Sequence, residues 1–154
     1  MIALEDEAKN QSPRTSTRRE MGSVSYQSSM SDSEYRDQYN YGYQLVQNQN
    51  YNEAIEVFES LLAADSKHSL ADNAQYWIGE CYYFLGDYKS AILAFEKVFT
   101  YKNSNKNDYA QYKLGLCYFE LNDRQRAREE FQSFLDNYES SPLIGKAQQY
   151  MSRL

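Results

Sequence analysis

Histidine occurs once in this chain, tryptophan once, and cysteine and proline twice each. A single imidazole and two thiols cannot assemble a Cys/His cluster at zinc-ligand spacing, so neither a metal centre nor a disulfide scaffold is expected. No apolar run approaches the roughly 20 residues that cross a bilayer as a helix. Positive charge is also short: 16 Lys and Arg against 22 Asp and Glu leave a net charge of -6. That sign disfavours partners held by phosphate neutralisation, namely nucleic acid and anionic lipid. A glycine-rich phosphate loop, a nucleophile with a paired base and a placed carboxylate pair are all missing, so the sequence reads as a non-enzyme that needs no cofactor. The first ten residues are acidic where a secretory signal is basic. The expectation is a chain that stays where it is made, in the cytoplasm, unless it is the processed form of an exported protein, in which case the periplasm or envelope is expected.

What is present divides the 154 residues in two. The first 34 hold eight serines, two threonines and the pair Arg18 and Arg19, with few large apolar residues. Such a segment cannot offset its ordering entropy by burial, so 1–34 is read as a polar tail or linker, with residues 1–9 as the frayed end of a preceding helix. Residues 35–154 carry most of the 16 tyrosines and enough apolar residues for a packed core.

Self-similarity decides the fold of that second part. Gly42, Gly79 and Gly115 recur at intervals of 37 and 36. Twelve residues after each stands an alanine (Ala54, Ala91, Ala127), and four further on a phenylalanine (Phe58, Phe95, Phe131). An apolar residue follows each glycine by three: Leu45, Tyr82 and Tyr118. Within the middle unit Ala74, Ile78, Cys81 and Tyr82 share one helical face until Gly86 supplies a left-handed stop. Asp87 can then cap a second helix with the stripe Tyr88, Ala91, Ile92, Phe95, Val98 and Phe99. Gln49–Asn50 and Asn122–Asp123 take the place of Gly86 and Asp87 in the other units. The pattern predicts an all-α array of three antiparallel helix pairs, 35–68, 72–105 and 108–141. Ser141 as N-cap and Pro142 at the first helical position predict a last helix over 142–154, whose Ala147 continues the column of Ala74 and Ala110.

These columns resemble the tetratricopeptide repeat, most closely where Trp77, Gly79, Tyr82, Gly86, Tyr88 and Ala91 fall together. The resemblance implies a right-handed α-solenoid with a C-terminal capping helix. Arg124 stands where the other units have Tyr51 and Tyr88, and Ser66, Asn103 and Glu139 replace the proline that usually closes a unit. The longer period, three units and terminal half-unit look like the C-terminal domain of bacterial Tol-Pal-associated periplasmic proteins that act in cell division. The lipoprotein adaptor of the outer-membrane β-barrel assembly machine uses similar units.

The family's first helices line a concave groove. Here the implied groove set is Tyr39, Tyr43, Gln47, Asn73, Tyr76, Glu80, Tyr83, Tyr109, Tyr112, Leu116 and Phe119. Tyrosine combines a large ring with a polar tip and little rotamer entropy, which suits a soluble binding surface. The resulting expectation is a scaffold that holds a peptide segment or domain of another protein, with self-assembly into a homo-oligomer as the alternative. Glu80, unpaired in the sequence, would repel a carboxylate, so a neutral or basic partner segment is expected rather than an acidic C-terminus. Cys81 and Cys117, at equivalent points of stacked units about 10 Å apart, read as core residues rather than a redox pair. His68 reads as a solvated loop residue, and Arg124, Arg126 and Arg128, interspersed with acids, as a charged outer helix face.

Overall fold

The computed structural model describes residues 30–154. The tail lies outside them except at its end, where the structure moves the boundary: α1 begins at Asp32, not at Tyr35. Ser31 caps it. The Glu34 backbone N–H donates to Ser31 Oγ at 3.1 Å, and the Ser31 N–H donates back to the Glu34 carboxylate at 3.3 Å, so two orphan donors of the first turn are satisfied.

Six further helices follow: α2 (Tyr51–Ala64), α3 (Ala71–Phe84), α4 (Tyr88–Val98), α5 (Asn107–Glu120), α6 (Arg124–Asn137) and α7 (Ile144–Met151), after α1 (Asp32–Gln47). Each packs chiefly on its neighbours in sequence, and α1 also touches α3. This one-dimensional contact order is that of a solenoid.

The glycine and phenylalanine columns are two halves of one contact. A Cβ on Gly79 would lie 2.6 Å from the Phe95 ring, one on Gly115 2.6 Å from Phe131, and one on Gly42 2.9 Å from Phe58. The three phenylalanines and Ala54, Ala91 and Ala127 are fully buried. Ala74, Ala110 and Ala147 are buried to the same degree, so α7 seats on the third pair as the third pair seats on the second. Its outward residues Lys146, Gln148, Gln149, Ser152 and Arg153 are exposed.

The turns repeat as well. Gln49, Gly86 and Asn122 have φ of 63, 78 and 60°, and the next residue in each unit donates its N–H back five positions, Asp87 to the Tyr82 carbonyl at 3.0 Å. This is the Schellman closure of a helix. The Asp87 carboxylate accepts from the Ser90 N–H, as Asp123 does from Arg126. Phe99 departs from the expected stripe: α4 ends at Val98 and Phe99 is 37% exposed.

The last helix starts two residues later than Ser141-Pro142 suggests, at Ile144. Ser141 is occupied elsewhere. Its hydroxyl donates to Asp108 Oδ2 at 2.7 Å and accepts from the Leu143 N–H at 3.2 Å. Ser104 makes the same pair of bonds one unit earlier, to Asp72 at 2.7 Å and from Lys106 N–H at 3.0 Å. His68 does so in the first loop: Nδ1 accepts from the Leu70 N–H at 3.0 Å and Nε2 donates to Asp32 at 2.7 Å. These bonds clasp each inter-unit loop to the first helix of the preceding pair. His68 is therefore no solvated loop residue; its side chain is 8% exposed and stacks on Tyr35 with ring centres 3.8 Å apart.

Candidate functional site

The first helices α1, α3 and α5 stand side by side, with α1 touching α3. Rings from them join across the units. Trp77 Nε1 donates to the Tyr39 hydroxyl at 3.0 Å, and the Trp77 ring meets Tyr43 edge-on at 5.1 Å. Tyr76 sits edge-on to Trp77 at 5.6 Å and to Tyr109 at 6.1 Å. Further along, Tyr150 of α7 meets Tyr112 at 6.3 Å and Phe119 at 5.1 Å. Edge-to-face pairs at these separations each add about 0.5–1.5 kcal/mol beyond area burial. The outcome is an aromatic ladder along the first helices.

Two lysines occupy this ladder. Lys106 Nζ lies over the rings of Tyr76 and Tyr109, 5.3 and 5.1 Å from their centres. Lys113 lies 4.8 Å over Tyr83 and also pairs with Glu80 at 2.9 Å. The Tyr76 hydroxyl donates to the same Glu80 oxygen at 3.0 Å. Glu80, 5% exposed, is thus paired and hydrogen-bonded rather than uncompensated, so the repulsion expected from it is offset.

Burial raises the Tyr76 hydroxyl pKa well above its ordinary value, and the neighbouring Glu80 charge adds to it. Tyr39, Tyr83 and Tyr112 shift upward for the same first reason, burial. All four stay protonated at neutral pH, and the Tyr76 proton is already donated to Glu80. Cys81 and Cys117 are free and fully buried, with their thiols pushed up to about 12 chiefly by burial, so they are poor nucleophiles.

The eleven residues of the expected groove separate into two kinds. Tyr43 and Gln47 are exposed, and Tyr39, Asn73, Tyr83, Tyr109 and Phe119 are half-buried. Tyr76, Glu80, Tyr112 and Leu116 are buried, and their expected role as surface contacts is corrected. Tyr112 packs against Phe131 and Phe134, and Tyr76 against Phe95, so these rings turn toward the second helices and away from the open face. Gln47, at the end of α1, makes none of the ladder's aromatic contacts.

Four residues missing from the expected set belong with it: Trp77, Lys106, Lys113 and Tyr150. The period itself holds the signal for three of them. Trp77, Lys113 and Tyr150 are spaced by 36 and 37 and follow directly on Tyr76, Tyr112 and Gln149. Arg126 covers the Tyr118 ring and pairs with Asp123 at 3.6 Å, and Arg124 donates to the Arg153 carbonyl at 2.9 Å, so this basic run serves the outer helix face.

Family models described as tetratricopeptide repeat match residues 39–104 and 109–141. The chain is a tetratricopeptide-repeat protein, of the class that serves as a scaffold for protein–protein interaction. Among solved structures it is similar to the type III secretion chaperone SycD of Yersinia enterocolitica in complex with a peptide of the translocator YopD. That match has a TM-score of 0.70 at 16% identity over 80% of this chain and 93% of that one. It is also similar to PcrH from Pseudomonas aeruginosa, with a TM-score of 0.71 at 18% identity over 81% of this chain and 94% of that one. PcrH in complex with the chaperone binding region of PopB matches with a TM-score of 0.63 at 18% identity over 80% and 94%. At these identities the likeness is one of fold. No curated protein matches the sequence.

Proposed function

We propose that this protein is a non-catalytic scaffold that holds an extended or helical segment of another protein against α1, α3 and α5. The observation that carries this reading is the aromatic ladder with Tyr43 exposed and Tyr39, Tyr83, Tyr109 and Phe119 half-buried along one side of three first helices. Contiguous accessible rings of this kind are what a soluble protein keeps for a partner. The structures similar in fold include one in complex with a peptide of the translocator YopD and one in complex with the chaperone binding region of PopB, which supports the same mode here. Tyr76 and Tyr112 act beneath that surface by fixing its shape.

The reading is tested by panning a displayed library of random 12-residue peptides on the wild-type protein and on a Tyr43→Ala/Tyr109→Ala variant. Binders that lose at least tenfold in affinity to the variant, with its helical circular dichroism intact, are the expected result. A library without binders, or binders indifferent to both changes, contradicts it. We further propose a bacterial envelope complex as the setting. The repeat unit of 36 to 37 residues, the terminal half-unit and the polar N-terminal segment support this. Cell fractionation of the full-length gene product checks it, with recovery from the periplasm expected and recovery from the cytosol contrary.

A further inference from the structure

We infer that the segment held on this face presents an acidic side chain and that the Lys106 ammonium receives it. The inference rests on the peptide-binding reading above and specifies the chemistry of the ligand. The two lysines of the aromatic ladder differ in what they have left to give. Lys113 is neutralised by Glu80 at 2.9 Å. Lys106 has no carboxylate within ion-pair distance among the described residues.

The acids of the adjoining loop clasps, Asp72 and Asp108, face other donors, and neither lies within ion-pair distance of Lys106. Asp72 accepts from Ser104 Oγ at 2.7 Å and from the Asn73 N–H at 2.9 Å. Asp108 accepts from Ser141 Oγ at 2.7 Å. What holds the Lys106 ammonium instead is a pair of rings, Tyr76 and Tyr109. Ring faces attract a cation without supplying lone-pair acceptors, so the charge is positioned by the protein while its N–H donors stay open to a ligand. A carboxylate arriving over Tyr109 finds an ammonium whose side-chain freedom is already reduced, which is the condition under which a charge-assisted hydrogen bond contributes most. The half-buried Tyr109 ring offers apolar contact beside it, so the recognised unit is an acid next to an apolar or aromatic residue. The overall charge of -6 opposes an acidic ligand at long range. That repulsion is screened beyond about 8 Å at physiological salt, whereas direct contact is not.

The peptide library separates this inference from the reading beneath it. Wild-type protein is expected to enrich sequences with Asp or Glu beside an apolar residue. Lys106→Met is expected to lose the acidic preference while keeping the apolar one, and Lys102→Met, which removes a nearby exposed lysine, to keep both. For one selected peptide, the Glu→Gln twin should bind wild type about tenfold more weakly and Lys106→Met with unchanged affinity. Wild-type binders without acidic enrichment, or equal enrichment on Lys106→Met, overturn the inference and leave the groove standing. A library without binders overturns both. Lys106 caps α5 through its backbone, with no side-chain cap bond, so the variant retains the fold.

Discussion

A methyl group on Gly79 would lie 2.6 Å from the Phe95 ring, closer than any relaxed carbon contact. Glycine at this point of α3 is a packing residue, so Gly79→Ala should destabilise the protein by about 1–2 kcal/mol despite alanine's higher helix propensity. Chemical denaturation measures it, and Gly42→Ala should cost less because its contact is 2.9 Å. Lys113→Met should cost about 2–3 kcal/mol, since it strands the buried Glu80 carboxylate with only the Tyr76 hydroxyl as partner. Glu80→Gln should cost less, because no buried charge is left behind. The glycine contact was legible in the sequence, where a small and a large residue recur at a fixed offset of sixteen. The Glu80 pairing was not, because its partner lies 33 residues away on the next unit and occurs in that unit alone.

Helix ends follow rules that local sequence states well and tertiary contacts then edit. Gly86, Gln49 and Asn122 were all readable as left-handed stops, yet only the first is free of strain there. Gln49→Gly should therefore raise stability by about 0.5–1 kcal/mol, seen as a higher denaturation midpoint. Asp87 is held below the ordinary carboxylate range by its Ser90 hydrogen bonds, first from the side chain and then from the backbone. A depressed carboxylate contributes stability that is present above the unfolded value of about 3.9 and lost as pH falls through the lower folded value. Asp87→Asn should flatten that acid limb while leaving the midpoint at pH 7 nearly unchanged, since Asn caps as well as Asp. Ser141 looked like a cap from its Pro142 neighbour, but the hydroxyl serves Asp108 instead and α7 begins later. Ser141→Ala should cost about 1–2 kcal/mol and speed amide exchange in α7 before other helices. His68 shares this clasp with Ser104 and Ser141 at intervals of 36 and 37. Its different chemistry hid the equivalence, and the Tyr35 ring stacks on the imidazole there.

Across the described residues, the order of the solenoid was legible, its helix ends apart, because that order is one-dimensional: what recurs in sequence recurs in space. The proposed binding face was legible only in outline. Helical position places Tyr43, Tyr76, Tyr109 and Tyr112 on one side, but the depth of each ring depends on what the second helices put behind it. Phe95, Phe131 and Phe134 draw Tyr76 and Tyr112 inward, while Tyr43 remains 37% exposed. We propose that a partner segment lies along α1, α3 and α5. It is tested most directly by placing a photo-crosslinking amino acid singly at Tyr43, at Tyr109 and at Leu93, an exposed position on α4 (62%), and irradiating each with a library-selected peptide. Cross-linking from positions 43 and 109 with none from 93 is the predicted result; a peptide captured at 93 and not at the other two contradicts the account.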